Sequence, residues 1–222
     1  MFTLHHLNDS RSQRIAWLLE LAEVDYEVKA YLRDPETSLA PEELKRLHPL
    51  GTAPLLTHNG VTIAESGSIC EYVAMHSTQN LMPEHGTTAY VHTSFWSHYA
   101  EGSFLPPLVT AMVVNKARSK VPFLIKPIAN RLLDAIMNAY FNKAIKRNFV
   151  FTENYLENKT WLVGNMPTIA DVQMSFALEA VYDAGRITAF PNMTNYVERL
   201  RQTGTFINAM NKLHEAEAQQ SI

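Results

Sequence analysis

His48-Pro49-Leu50-Gly51-Thr52-Ala53-Pro54-Leu55-Leu56-Thr57-His58-Asn59-Gly60-Val61-Thr62-Ile63-Ala64-Glu65-Ser66-Gly67-Ser68 is the stretch whose reading decides the fold. His58-Asn59-Gly60 reads as a hairpin turn, because Asn-Gly tolerates the positive φ that such turns require. Pro54–Thr57 precedes it as a short strand, and Val61–Ala64 follows with the alternation of a half-buried one. Glu65-Ser66-Gly67-Ser68 then opens a helix whose Ile69, Tyr72, Val73 and His76 recur at i, i+3, i+4 and i+7. Pro54 has no N–H to give a ladder, so it belongs at an edge or a specialised bend. If the Ala53–Pro54 bond is cis, the Ala53 backbone is left free to pair with an extended, peptide-like ligand.

The helix start carries the chemistry. Unpaired N–H groups and a partial positive charge favour a carboxylate there. Ser66 adds a hydroxyl donor, and Glu65 offers an acceptor for an ammonium group. Together they describe the free α-amino acid end of a small peptide. The plainer alternative makes Ser66 an N-cap and Glu65 a complement to the helix dipole.

Working outward, Phe2–Leu7 reads as a strand and Arg11–Glu23 as a helix with Ile15, Leu18, Leu19 and Ala22 on one face. Tyr26–Ala30 follows as a second strand and Glu42–Leu47 as a short helix. With Ser10-Arg11-Ser12-Gln13-Arg14-Ile15-Ala16-Trp17-Leu18-Leu19-Glu20, and Arg33-Asp34-Pro35 ahead of Ala40-Pro41, the whole segment resembles the glutathione-binding half of the glutathione S-transferases. It is most like the bacterial and fungal branch with a serine near the start of the first helix. The resemblance covers nearly the full chain and is densest before Tyr72.

That resemblance implies an architecture. The order β-α-β-α-β-β-α matches an α/β thioredoxin-like domain over residues 1–78. A linker with Asn80, Pro83 and Gly86 occupies 79–88, and residues 89–222, helical in period, form an all-α bundle. It also implies a glutathione transferase, with glutathione as co-substrate, an apolar electrophile and a homodimer. Glu65 and Ser66 would meet the γ-glutamyl end, Ala53 the cysteinyl backbone with Thr52 and Pro54 alongside, and Ser10 the sulfur. Ser10 lies four residues before Arg14, the spacing that serine-type members show. Ser12, or a helix cap with no further role, are the alternatives, and no tyrosine precedes Tyr26. A hydroxyl near a helix N-terminus suits the task, because the thiolate and not the thiol is the nucleophile. The position from which family members often anchor the glycine carboxylate holds Leu39 and Ala40, which leaves Arg33, Lys45 and His48 open for that role.

In the second half, Thr168-Ile169-Ala170-Asp171 is a capping box ahead of an apolar run, with Pro167 placed to staple against Val172. The family has such a box at the start of its buried central helix; it is a stability signal of about 1 kcal/mol and carries no chemistry. His98–Pro107 is expected to end the first long helix. Tyr99 and Phe104, with Met112 and Val113, are expected to line the electrophile pocket, with a place in the bundle core as the alternative for each.

Composition bounds the rest. At 222 residues, 46% hydrophobic and 18% charged, the chain suits a packed globule. A net charge of −3 gives no call for nucleic acid. The single cysteine, Cys70, excludes an internal disulfide, suits a reducing, cytoplasmic setting and reads as a core residue. No basic region followed by a long apolar core opens the chain, and Leu105–Val114 is too short, with Pro106 and Pro107, to cross a bilayer. Nine histidines show no ligand spacing; His5 and His6 point to opposite faces of a strand, so no metal is expected. Lys116, Arg118, Lys120, Lys126, Arg131, Lys143, Lys146 and Arg147 face one acid, Asp134, in a segment best read as a solvated helical face that can also steer anions. Two other functions remain open: peroxide reduction or isomerisation with glutathione on the same site, or a non-enzymatic module for ligands or partners.

Overall fold

The computed structural model describes residues 1–220. It opens with β1 (Phe2–Leu7), α1 (Ser12–Leu21), β2 (Tyr26–Tyr31), α2 (Glu42–Leu47), β3 (Leu55–His58), β4 (Val61–Ala64) and α3 (Ser66–His76). The four strands form one mixed sheet in the order β2-β1-β3-β4. β1 pairs parallel to β2 across the α1 crossover, and β3 runs antiparallel to both β1 and β4. Asn59 and Gly60 both take positive φ, 49° and 79°, as a two-residue hairpin turn demands. α1 stops short of the expected Glu23, which sits at φ 53° outside helical space.

Side-chain alternation divides the sheet into two faces. Phe2, Leu4 and Leu56 pack with Ile15, Leu18 and Leu19 of α1 and Ile69, Cys70 and Val73 of α3 in the main core. Leu7 and Leu55 turn the other way, toward Leu44 of α2. His5 and His6 obey the same rule. His5 hydrogen-bonds Tyr31 and Thr57, whereas His6 reaches Ser12 and Glu217.

The helical half consists of α4 (Thr88–Tyr99), α5 (Leu105–Lys120), α6 (Lys126–Ile136), α7 (Asn142–Tyr155), α8 (Ile169–Asp183), α9 (Pro191–Arg201) and α10 (Gly204–Gln220). His98–Pro107 does not end a helix, contrary to expectation. A π-turn over Ala100–Phe104 carries α4 directly into α5. Pro106 and Pro107 have no N–H for the preceding carbonyls, and the Ser103 carbonyl freed in this way accepts from Asn148 Nδ2 at 2.7 Å. No helix among the described residues is long and apolar enough to cross a membrane.

α8 is the axis of the molecule, buried along most of its length against α1, α3 and α4. Its capping box is complete. Asp171 accepts from Thr168 N, Thr168 Oγ1, Leu162 N and Tyr196 Oη, at 2.7 to 3.1 Å. α10 then returns to the first half and lies along α1 beside β2.

Candidate functional site

Strand register gathers the candidate residues at one end of the sheet. His5 opposes Leu55, so the end of β1 and the turn that bears Ser10 run beside Ala53–Pro54. Leu55 opposes Ala64, so Pro54 and Glu65 flank the same strand pair. The Ala53–Pro54 bond is cis. No turn or loop hydrogen bond among the described residues engages the Ala53 backbone. Thr52 is exposed and Ala53 half-buried beside it.

Ser10 and Ser12 share the turn and differ in access. Ser10 Oγ accepts from Ser12 N at 3.2 Å, as a helix cap does, and lies 2.6 Å from Ser12 Oγ. Ser12 is fully enclosed: its hydroxyl also meets His6 Nδ1 at 2.7 Å, Leu7 O at 3.2 Å and Leu7 N at 3.3 Å. Asp9, at φ 50°, bends the chain into this turn. Arg33 holds the bend in place, donating to the carbonyls of Asn8 and Asp9.

At the α3 start, Glu65 occupies the N-cap position at φ 67°, exposed, and its side chain makes no cap bond. A non-glycine residue there stores about 1–3 kcal/mol of strain. Ser66 is not the cap. Its buried hydroxyl donates to Gln173 Oε1 of α8 at 3.2 Å. The same amide oxygen accepts from Arg14 at 2.6 Å, and Arg14 also donates to the Gln173 carbonyl and pairs with Glu101 of the π-turn. Gly67 packs closely against this cluster, since a Cβ there would stand 3.2 Å from Gln173 Nε2. A cavity of about 350 Å³ opens between Glu65, Ser66 and Gly67 on one side and Ser97, Glu101 and Gln173 on the other. Cys70 lies at its base; burial pushes its thiol up to about 12, so it is core and not a nucleophile.

Gln173 and Glu101 were not singled out from sequence, and Arg14 entered only through its spacing from Ser10, although a signal was present. Arg14 and Gln173 interrupt apolar helix faces, and buried charge without a partner is rare. The basic candidates for the glycine carboxylate differ in placement. Arg33 is committed to the β1–α1 turn, Lys45 pairs with Glu42 while its stem lies against Gly51, and His48 Nδ1 lies 3.4 Å from Leu50 N.

The four apolar residues expected around an electrophile are not brought together. Phe104 is fully buried and stacks on Phe149. α5 turns Leu108, Ala111 and Val114 inward, which leaves Met112 and Val113 exposed on its outer surface. Only Tyr99 borders a groove, against Phe95 and Phe151. A larger cleft, about 640 Å³, flanks the Ser10 turn instead, walled by Asp9, Gln13, Phe176, Phe206, Ile207 and Met210. Phe176, in the wall of this cleft, lies under the guanidinium groups of Arg11 and Arg14. Among the described residues no group of three or more His, Cys, Asp or Glu is placed to hold a metal.

Comparison with known proteins agrees with this layout. The profile of the glutathione S-transferase N-terminal domain matches residues 1–75, and that of the C-terminal domain matches residues 120–203. Glutathione S-transferase 1 of Saccharomyces cerevisiae is 36% identical over 81% of this chain and 80% of its own length. A glutathione S-transferase structure from Actinobacillus pleuropneumoniae superposes with a TM-score of 0.79 at 33% identity, covering 96% of this chain and 93% of that one. An elongation factor 1-gamma from Prunus avium is 28% identical over 73% of this chain but only 36% of its own length.

Proposed function

The chain belongs to the glutathione S-transferase family, and from that premise we propose that it binds glutathione at this end of the sheet and activates its thiol for attack on an apolar electrophile. The observation that carries this reading is the convergence of three features around that end. These are the Ser10 turn, the Ala53–Pro54 bend, and the open α3 start with Glu65 and Ser66. Glu65 takes the γ-glutamyl ammonium, while Ser66 and the helix N–H groups take its carboxylate. Ala53 pairs with the cysteinyl backbone, with Thr52 and Pro54 beside it. Ser10 faces the sulfur. Lys45, whose stem lies against Gly51, is the basic side chain taken for the glycine carboxylate. The electrophile enters from the larger cleft beside Asp9 and Gln13, whose aromatic wall is Phe176 and Phe206.

A homodimer belongs to the same reading. α6 buries none of its residues, yet Ile128, Leu132 and Ile136, four apart, make one exposed apolar row that suits a second copy. The free, buried Cys70 thiol fits a reducing cytoplasm. Glutathione-dependent peroxide reduction uses the same thiolate and is separated only by the electrophile. The likeness to elongation factor 1-gamma supports a second reading, a partner-binding module with no turnover. The intact Ser10, Pro54 and Glu65-Ser66 set favours the enzyme.

Calorimetry with glutathione tests the proposal. Micromolar to millimolar binding is expected, with a rise in melting temperature by linkage. Replacing Glu65 and Ser66 together with alanine should weaken it at least about tenfold, the loss of one or more charge-assisted bonds. Absence of heat and of thermal shift at millimolar glutathione would reject it.

A further inference from the structure

Ser10 does not stand alone in its turn. Its Oγ lies 2.6 Å from Ser12 Oγ, Ser12 Oγ lies 2.7 Å from His6 Nδ1, and His6 Nε2 lies 2.8 Å from a carboxylate oxygen of Glu217 near the end of α10. These four side chains come from β1, the β1–α1 turn, α1 and the last helix. Ser10, Ser12 and His6 are buried, and Glu217 keeps about a third of its side chain in solvent, 30%. A hydrogen-bonded line therefore runs from the candidate thiol site through the sheet to the outer helix.

Its polarity is fixed by elementary chemistry. An ionised carboxylate only accepts, so the His6 proton is on Nε2 and Nδ1 carries a lone pair. Ser12 then donates to Nδ1 at 2.7 Å, closer than its other acceptor, the Leu7 carbonyl at 3.2 Å. It has no second proton for Ser10, so Ser10 donates to Ser12. What Ser10 presents toward a ligand is thus a lone pair, ready to receive the proton of a thiol.

Resting on the glutathione reading above, we propose that Glu217, His6 and Ser12 form a proton relay that drains the glutathione thiol through Ser10. The S–H proton passes to Ser10 Oγ as the Ser10 hydroxyl proton moves to Ser12 Oγ and that of Ser12 to His6 Nδ1. The products are a thiolate and an imidazolium whose Nε2–H stays on Glu217. Every hydroxyl has reversed, so Ser10 now donates to the thiolate that it helped to form. After product departs, the chain runs backward and returns the proton to solvent. Ser12, His6 and Glu217 are positioning residues here; only Ser10 touches the ligand.

Burial holds the His6 imidazole below its usual range, so the ring is neutral in the resting protein. The charged and titratable groups that face it are Glu217 and His214 of α10 and Asp9 of the turn. Glu217 and Asp9 favour the imidazolium and His214 opposes it.

The test compares wild type with Glu217→Gln, Ser12→Ala and the double variant. The bound glutathione thiol is titrated by its thiolate absorbance, next to kcat, KM and melting temperature. Each single variant should raise the bound thiol pKa by about one unit, as loss of a charged hydrogen-bond chain implies. Turnover near neutral pH should fall about tenfold and recover at higher pH, with KM for glutathione unchanged. The double variant should add little, because the members act as one chain. A lowered melting temperature with an unmoved titration in Glu217→Gln would overturn the relay and leave His6–Glu217 as a fastening of α10. Failure of wild type to bind glutathione by calorimetry would instead remove the functional reading, and the relay with it.

Discussion

Ser12 is enclosed by Leu7, His6 and Ser10, and its hydroxyl has no face left for a ligand sulfur. Ser10, two residues earlier in the turn, accepts from Ser12 N and retains a lone pair. Position in the turn therefore separates two serines that spacing alone left as alternatives. Ser10→Ala should leave glutathione affinity nearly intact, because the proposed backbone and γ-glutamyl contacts lie at Ala53, Glu65 and Ser66. The bound thiol pKa should rise by about one to two units, and turnover near neutral pH should fall roughly ten- to a hundredfold. The check is the thiol titration beside the rate, and a variant that matches wild type in both would reduce Ser10 to a helix cap. The Ser66 site shows what sequence carries at this scale and what it does not. Ser66 and Glu65 were legible, since a helix start is a local property. Gln173 and Glu101 were not, because they arrive by packing of α8 and the π-turn, far away along the chain.

Among elements, the hairpin and the first helices were the most legible. Asn59-Gly60 fixes the turn, and the apolar spacing of Ile15, Leu18 and Leu19 fixes the face of α1. The α4–α5 junction was misread for a physical reason. Pro106 and Pro107 normally mark a break, but a π-turn and the Asn148 side chain satisfy the freed backbone and let the helix run on. That continuation sets the rotation of α5, and so moves Met112 and Val113 outward. The α8–α9 contact carries a pH dependence. Burial pushes the Glu179 carboxyl up to about 7 despite Arg201 at 3.1 Å. The unfolded chain loses that proton near 4.5 and the folded protein near 7, so between them the native state binds more protons. Stability therefore falls as pH rises through this window, by at most about 1.4 kcal/mol per pH unit. His5 and His6, lowered by burial, act with the opposite sign, but equally in wild type and in Glu179→Gln. Denaturant midpoints from pH 4.5 to 7 should fall less steeply in the variant. Parallel curves would show that Glu179 does not titrate as described.

At the scale of the whole molecule, α8 and α10 join the halves into one core, and α8 brings Gln173 to the start of α3. The basic residues of 116–147 are nearly all exposed on the α5–α7 hairpin, a solvated face beside an uncovered apolar row. If a second copy covers that row, light scattering should give twice the chain mass of 25.1 kDa. Leu132→Asp, which puts a charge into the row, should return the protein to monomer. A wild-type monomer would assign the row to something other than self-association.

The central claim is that this fold ionises glutathione, and the thiolate absorbance of glutathione bound to the wild-type protein tests it most directly. The thiol of the free peptide ionises near pH 8.5, as a cysteine does. On binding, the account predicts a thiolate band at pH 7 that titrates at least about one unit lower. A bound thiol that ionises like the free peptide, or no bound peptide at all, would contradict it.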